Sequence, residues 1–322
     1  MRKPLFKIRE GGKFGFMDSD GQIVIEPQYV EAEDFHNGFS RVRFNDKLVP
    51  LDNMGRLLMK HLFNFVGHFE EELARVKLVT RWGYIDTRGR IAIEIRFEDA
   101  GDFSEGLALV AYEGRYGYID RHGNFIIPPR FEQGGEFQSG LAPAAEDGRW
   151  GYIERSGRFV IEPRYDLCLP FQEEGVAVVV REGRWGLLDR NGQELAPPRF
   201  EFLEDFPNGL FFEKRAIILS EGRYGFINPQ GQVVIEPRYD FAGDFSEGLA
   251  LVEVEGKFGY IDKAGEVVIE PQFEDAGLFS NGLAQVLVNG KWGFINAHGK
   301  IVIQPIYEAV QPFRHDLAWV VY

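Results

Sequence analysis

Cysteine is almost absent from this sequence: Cys168 is the single one in 322 residues. That excludes an internal disulfide and a paired-cysteine metal site, and it fits a reducing compartment. No histidine stands near Cys168 in the sequence, so a small buried hydrophobe is its expected role. Long apolar runs are missing too. No stretch approaches the roughly 20 apolar residues of a membrane-spanning helix, and the amino-terminal MRKPLFKIREGGKFGF lacks an apolar core of signal-peptide length. Membrane insertion is not expected. The cytoplasm is the expected location, although the mature form of a secreted protein would read the same way. Positive charge is in deficit: 36 Lys and Arg against 50 Asp and Glu give a net charge of −14. A nucleic-acid backbone or an anionic lipid surface calls for the opposite sign, so neither is expected as a partner. Acidity by itself names no positive partner.

The usual chemical motifs are lacking as well. There is no G-x-S-x-G, no G-x-x-x-x-G-K-[ST] and no G-x-G-x-x-G in a strand–helix setting. Carboxylates are plentiful, but Asp18, Asp52, Asp86, Asp120, Asp189 and Asp262 recur at one place in a repeated pattern. Asn228 and Asn296 replace them there, which a turn permits and an acid catalyst does not. Ser246 and Ser280 are likewise repeat residues, expected in turns. No catalytic, cofactor-binding or metal-ligating residue is therefore expected, and a non-enzymatic role is.

What the sequence has in abundance is a repeat. Glycine follows an aromatic in KFG, RWG and RYG, and aligning on it gives the anchors Gly15, Val49, Gly83, Gly117, Gly151, Gly186, Gly225, Gly259 and Gly293. These nine copies lie 34 residues apart, except for steps of 35 and 39 on either side of Gly186. The cleanest copy is Gly248 to Asn281. Leu249 to Val254 reads as a first strand, Phe258 to Asp262 as a second and Val267 to Glu270 as a third, ended by Pro271. Glu255-Gly256 suits a two-residue hairpin with positive φ at both positions. Asp262 to Gly265 suits a type I turn closed by a left-handed glycine. A connector of about eleven residues follows, with an aromatic at its start and a phenylalanine six residues later: Phe35, Phe69, Phe103, Phe137, Phe171, Phe206, Phe245, Phe279 and Phe313. Each is expected to plug the gap between one copy and the next, since a buried Phe contributes roughly 1.5–3 kcal/mol.

The basic–aromatic–Gly core (Arg149-Trp150-Gly151, Arg184-Trp185-Gly186, Lys291-Trp292-Gly293), the Asp-x-x-Gly turn, the Glu-Pro ending and the Phe-x-x-Gly-Leu-Ala entry together resemble the WG-repeat, or KWG-repeat, family of bacterial proteins. The resemblance runs from about residue 4 to 322. It implies a β-rich repetitive fold and no shared catalytic residue. The departures are Leu48 and Val49 in the core, and His61 and Ile95 at the strand-ending proline.

The pattern predicts an all-β chain forming a single domain over residues 1–322, with nine repeats of a three-stranded antiparallel meander and a capping strand at Leu317 to Tyr322. Continuous apolar runs such as Val267-Val268-Ile269 suggest sheets covered on both faces. A first strand in surplus suits an open superhelical array, a solenoid of stacked blades, with a closed β-propeller-like ring as the alternative. The basic residues Lys13 through Lys291 are expected to pair with Glu113, Asp147, Glu182, Glu221 and Glu255.

Two places break the repeat. The second copy carries His61 and His68 and loses its anchor glycine. Before the seventh anchor, Gly209 to Gly222 spans 13 residues where Gly248 to Gly256 spans 8. This segment places Phe211, Phe212, Ile217, Ile218 and Leu219 beside Lys214 and Arg215. Exposed apolar residues flanked by charge mark a protein-binding patch, and apolar residues folded back on the blade are the structural alternative. The expected function is a protein-binding or scaffolding module whose partner is another protein. A carbohydrate or cell-envelope binder stacking glycans on Trp82, Trp150, Trp185 and Trp292 is the first alternative. A hydrolase using a carboxylate pair is the second.

Overall fold

The computed structural model describes residues 3–45, 47–58, 63–172, 174–201, 211–312 and 320–321. The chain divides into two compact units, Met1–Pro170 and Phe171–Tyr322. Both are built from antiparallel meanders whose strands neighbour one another in chain order.

In the second unit the clean copy shows how a blade forms. Leu249–Val254 pairs with Lys257–Asp262 through the Glu255-Gly256 turn, whose φ angles are 51° and 76°. This is the primed hairpin expected from the acidic-Gly pair. At the Asp-x-x-Gly turn, Gly265 has φ of 86° and its N–H donates to the Asp262 carbonyl at 2.9 Å. Asp262 Oδ1 accepts from the Ala264 and Glu266 N–H groups, both at 2.9 Å. An Asn makes the same bonds at Asn228 and Asn296, so the interchange of Asp and Asn follows from backbone geometry.

Three features correct the sequence-based picture. First, most blades have four strands. A lead strand from the connector adds to the first strand, as Phe241–Ser246 adds to Leu249–Val254 and, in the first unit, Asp99–Ala100 adds to Ala108–Tyr112. Many lead strands are only two residues long, too short to leave a period in the sequence. Second, the proline does not end the third strand. Val267–Phe273 runs straight through Pro271, which is tolerated because this strand is the sheet's edge. Third, the edge strand is not covered on both faces: Val267 and Val268 are 45% and 43% exposed, and only Ile269 and Phe273 turn inward.

The open superhelical array of three-stranded units is thereby overturned. The repeats are β-propeller blades, the form that sequence reading ranks second, and the β-solenoid description falls with the array. The physical reason lies in the third strand. Its register shifts against the second strand between Phe258/Phe273 and Tyr260/Ile269, and the same shift recurs in the blades of both units. Such bulges raise the local twist, so successive blades cannot stack as flat layers. The bulge also explains the anchor glycine. A Cβ on Gly259 would meet the Ile269 carbonyl oxygen at 2.5 Å and the Pro271 nitrogen at 2.6 Å. Where the second copy carries Val49, a bridge from Leu51 to Leu57 and a Leu58 N–H bond to the Pro50 carbonyl stand in place of the third strand among the described residues, and the valine is buried.

Blades bury one another's faces. In the second unit one cluster joins Tyr260, Ile269 and Phe273 of one blade to Phe279, Ala284, Val286 and Ile295 of the next. The connector phenylalanine plugs this joint, with Phe279 edge-on to Tyr260 at 4.8 Å and Phe137 edge-on to Tyr118 at 4.9 Å. Polar clamps repeat alongside. The Ser246 hydroxyl donates to the Phe279 carbonyl at 2.7 Å, and the Gly282 N–H donates to Glu247 at 2.8 Å. In the first unit Ser104 and Glu105 do the same to Phe137 and Gly140. Arg130 lies over the Phe131 ring and donates to the Gly157 carbonyl at 2.6 Å. The hairpin basic residues pair with an acid just beyond the third strand rather than with the turn acids: Arg81 with Glu98, Arg149 with Asp166, Arg223 with Asp240. The turn acids Glu113, Asp147 and Glu255 instead supply positive φ. Of the expected capping strand, Val320–Val321 is described and pairs with Ala309–Val310.

Phe279→Ala should cost roughly 3–5 kcal/mol, as truncation of a buried aromatic does. Val268→Ala, on the exposed edge, should stay within about 0.5 kcal/mol of the parent. Chemical denaturation of both variants checks this, and similar midpoints would refute the plug.

Candidate functional site

Most side chains that distinguish the repeat are consumed by turns, plugs and clamps. Most of the exceptions gather in the first unit, at two places per copy, two residues after the Leu or Phe that enters the first strand and directly before the connector phenylalanine; Asp244 holds the second of these places in the second unit, where burial raises it as well. The first place holds Lys7, Arg41, Arg75, Leu109 and Pro143 in successive copies; the second holds Asp34, His68, Asp102, Glu136 and Pro170. The fold thus accepts apolar residues at both places, yet three copies put cations on the strand.

Each cation reaches the next connector in the same manner. Lys7 donates to the Ala32 carbonyl at 3.2 Å, Arg41 to Val66 at 3.0 Å and Arg75 to Ala100 at 2.9 Å. Lys7 lies 3.4 Å from Asp34 and Arg75 lies 3.0 Å from Asp102. In the middle copy His68 occupies the place of the acid, so Arg41 turns to Glu33 and donates twice, from Nε at 2.5 Å and from the other end of the guanidinium at 2.7 Å. His68 Nε2 lies 3.7 Å from the same Glu33, and its ring meets His36 edge-on at 5.5 Å. His36 Nε2 is 2.7 Å from Glu70 Oε1.

The strip is electrostatically unbalanced. Burial lowers the pKa of His68, Arg41 adds to the effect, and Glu33 opposes it. Burial raises Asp102 against the pull of Arg75, with Glu70 adding repulsion. Glu136 is raised by partial burial and then by Asp102. Arg75 Nε and Asp102 Oδ1 are both sealed from solvent, and neither makes a hydrogen bond despite their proximity. Among the described residues no group of three His, Cys, Asp or Glu is placed to hold a metal ion.

Of the residues singled out from sequence, His68 belongs to this strip and His61 lies outside the described residues. The other candidates are in the second unit. Ala216–Ser220 is a regular first strand paired with Arg223–Ile227; Ile218 is fully buried, and Ile217 and Leu219 are half-buried. The apolar residues are thus folded into the blade. Glu213 accepts from the Gly248 N–H as Glu247 does from Gly282, which puts half-buried Phe211 and Phe212 where Phe245 and Ser246 stand. Phe206, the sequence-based candidate for the connector position, lies outside the described residues. Lys214 then takes the place of a turn glycine, with φ of 65°, and Glu72 does so in the first unit with φ of 68°. Arg215 donates to the Lys263 carbonyl at 3.2 Å. Trp185 is fully buried, while Trp82, Trp150 and Trp292 are half-buried in their strands. Sequence reasoning missed Arg41, Arg75, Asp102 and Glu136, because it compared the copies at their shared anchors. The available signal was a charge at places where other copies are apolar. Cys168 is buried, and burial pushes its thiol up to about 12, so it is unreactive.

The blades define a class, the tandem-repeat β-propeller proteins. Within it, a family model described as the WG containing repeat matches residues 14–47, 51–78, 82–116, 116–150, 150–185, 185–212, 224–258, 258–292 and 292–322, and the chain belongs to that family. A crystal structure described as that of the eukaryotic initiation factor superposes with a TM-score of 0.54 at 10% identity, covering 94% of this chain and 95% of that one. PorZ, described as a bacterial surface component of the type-IX secretion system of Porphyromonas gingivalis, gives 0.32 at 11% identity over 94% of this chain and 50% of its own. Kluyveromyces lactis Hsv2 gives 0.38 at 11% identity over 78% and 89%. The first of these is a likeness of fold alone. No curated protein matches the sequence.

Two outcomes follow for the site residues. Lys214→Gly should raise stability by about 1 kcal/mol, because a side chain at positive φ is strained; an unchanged denaturation midpoint would refute this. Glu136 has a raised folded-state pKa, so its ionisation opposes folding as pH rises through that value, and the opposition is absent below the ordinary glutamate pKa near 4.3. Glu136→Gln should therefore stabilise the protein at neutral pH by less than about 1 kcal/mol, and the gain should vanish near pH 4. A gain that persists in acid would show that charge is not the cause.

Proposed function

We propose that the chain is a non-enzymatic binding or scaffolding module that acts on another protein, with the ionisable strip of the first unit as its contact surface. What supports this reading is the comparison of copies within the one chain. Leu109 and Pro143 satisfy the fold where Arg41 and Arg75 stand. Partly buried ion pairs are no more stabilising than well-packed apolar residues of similar volume, so the charges are not accounted for by folding. A strip bearing both signs suits the patterned charge of a protein surface better than the uniform charge of a phosphate backbone. Stacking of glycans has less support, since Trp185 is fully buried.

The test replaces the pair together. Arg75→Leu with Asp102→Asn copies the neighbouring blade's residue and leaves no lone charge. The variant should fold with parental stability and lose at least ten-fold in affinity, about 1.4 kcal/mol, for proteins that the immobilised parent captures from native lysate. A folded variant that retains every partner at parental affinity would overturn the assignment.

A further inference from the structure

Consecutive connectors are joined by a bond that does not titrate at ordinary pH. Ser104 donates to the Phe137 carbonyl at 2.6 Å, and Ser246 donates to Phe279 at 2.7 Å. The joint between the first two connectors is different. His36 takes the place of the serine, and Asn37 supplies the donor to the Phe69 carbonyl at 3.0 Å. His36 Nε2 sits 2.7 Å from Glu70 Oε1, and Asn37 reaches Glu70 Oε2 at 3.2 Å. Beside that amide bond, this joint carries a carboxylate, Glu70, and an imidazole, which the serine joints lack.

His68 lies against this joint. The groups that face it are Glu33 at 3.7 Å, the His36 ring at 5.5 Å, the Arg41 guanidinium and, more distantly, Asp102. A proton on His68 places a cation beside Arg41 and the His36 ring, while its nearest acid, Glu33, is already engaged by two bonds from Arg41. Like charges within a few ångströms repel strongly in a partly dry site.

We propose that His68 is a proton-operated latch between the first and second connectors, which a proton on its ring opens. Opening swings His68 away from Arg41 and loosens the backbone from Val66 to Glu70, where Arg41 and Asn37 hold the Val66 and Phe69 carbonyls. The sign follows from linkage. The closed latch binds a proton at His68 less readily than an open one does, so closure is favoured above the ordinary histidine pKa near 6.5 and is lost as pH falls below it. The latch lies inside the ionisable strip, so acidification changes the surface that strip presents. The device itself depends only on the geometry of the joint.

Amide hydrogen exchange on the full chain tests this, at about pH 7.5 and about pH 5.5 with the intrinsic chemical rates removed. Protection at Val66 to Glu70 should fall in acid, the direction set by the lowered proton affinity of His68. Protection at the Ser104–Phe137 and Ser246–Phe279 joints should not change. Equal behaviour of all three joints would overturn the proposal, and this comparison needs no variant. In His68→Gln the acid response should disappear; a folded variant that keeps it would overturn the assignment to His68.

Discussion

The structure depends on one close approach. In regular blades the bulged edge strand presses its backbone onto the anchor glycine, within 2.5 Å of where a Cβ on Gly259 would stand. Only a residue without a side chain admits this contact. The bulge it permits turns Ile269 and Phe273 inward on one strand while Val267 and Val268 face solvent. It also adds the twist by which consecutive blades present complementary faces rather than flat ones. Val49 is the one anchor that departs from glycine, and its branched side chain is buried in the core with Val42 and Leu51.

Blade association rests on two layers of interaction with different physics. The apolar layer is the connector phenylalanine, set edge-on against an aromatic of the preceding blade, as Phe245 is against Phe226 at 4.9 Å. It is nondirectional and supplies most of the energy. The polar layer fixes register. Serine hydroxyls, glutamates over glycine N–H groups and arginines on turn carbonyls each join a residue to one displaced by about a repeat, as Glu213 joins Gly248 and Arg238 joins Gly265. Each such bond is modest, and its value lies in satisfying the donor and acceptor it joins.

The ionisable strip stands apart because the repeat supplies its own control. Five copies in the first unit offer the same two places, and two of the strand residues there are apolar. Where charge occurs, it is incompletely neutralised: Asp102 and Glu136 are raised, His68 is lowered, and the Arg75–Asp102 pair leaves buried atoms without hydrogen bonds. A framework under no other demand would have packed these places with leucine or proline. Imbalance of this kind is characteristic of surfaces that meet something else.

The sequence alone determined the period, the nine copies, the hairpin and Asp-x-x-Gly turns, and the burial of most described connector phenylalanines, because each rests on local backbone geometry or on a hydrophobic residue at a fixed interval. The family resemblance, carried by those same residues, was legible for the same reason. The lead strand was not, since two residues such as Asp99 and Ala100 pair only because the first strand is already in place. Nor was the edge role of the third strand, since Val267-Val268-Ile269 reads alike whether one face or both are covered. Propeller blades rather than an open array, the partner of each hairpin arginine and the inward packing of Ile218 were likewise decided by tertiary structure. The strip of Arg41, His68, Arg75 and Asp102 was decided there too: Arg41 and His68, like Arg75 and Asp102, are 27 residues apart, and only the stacking of blades brings them within reach.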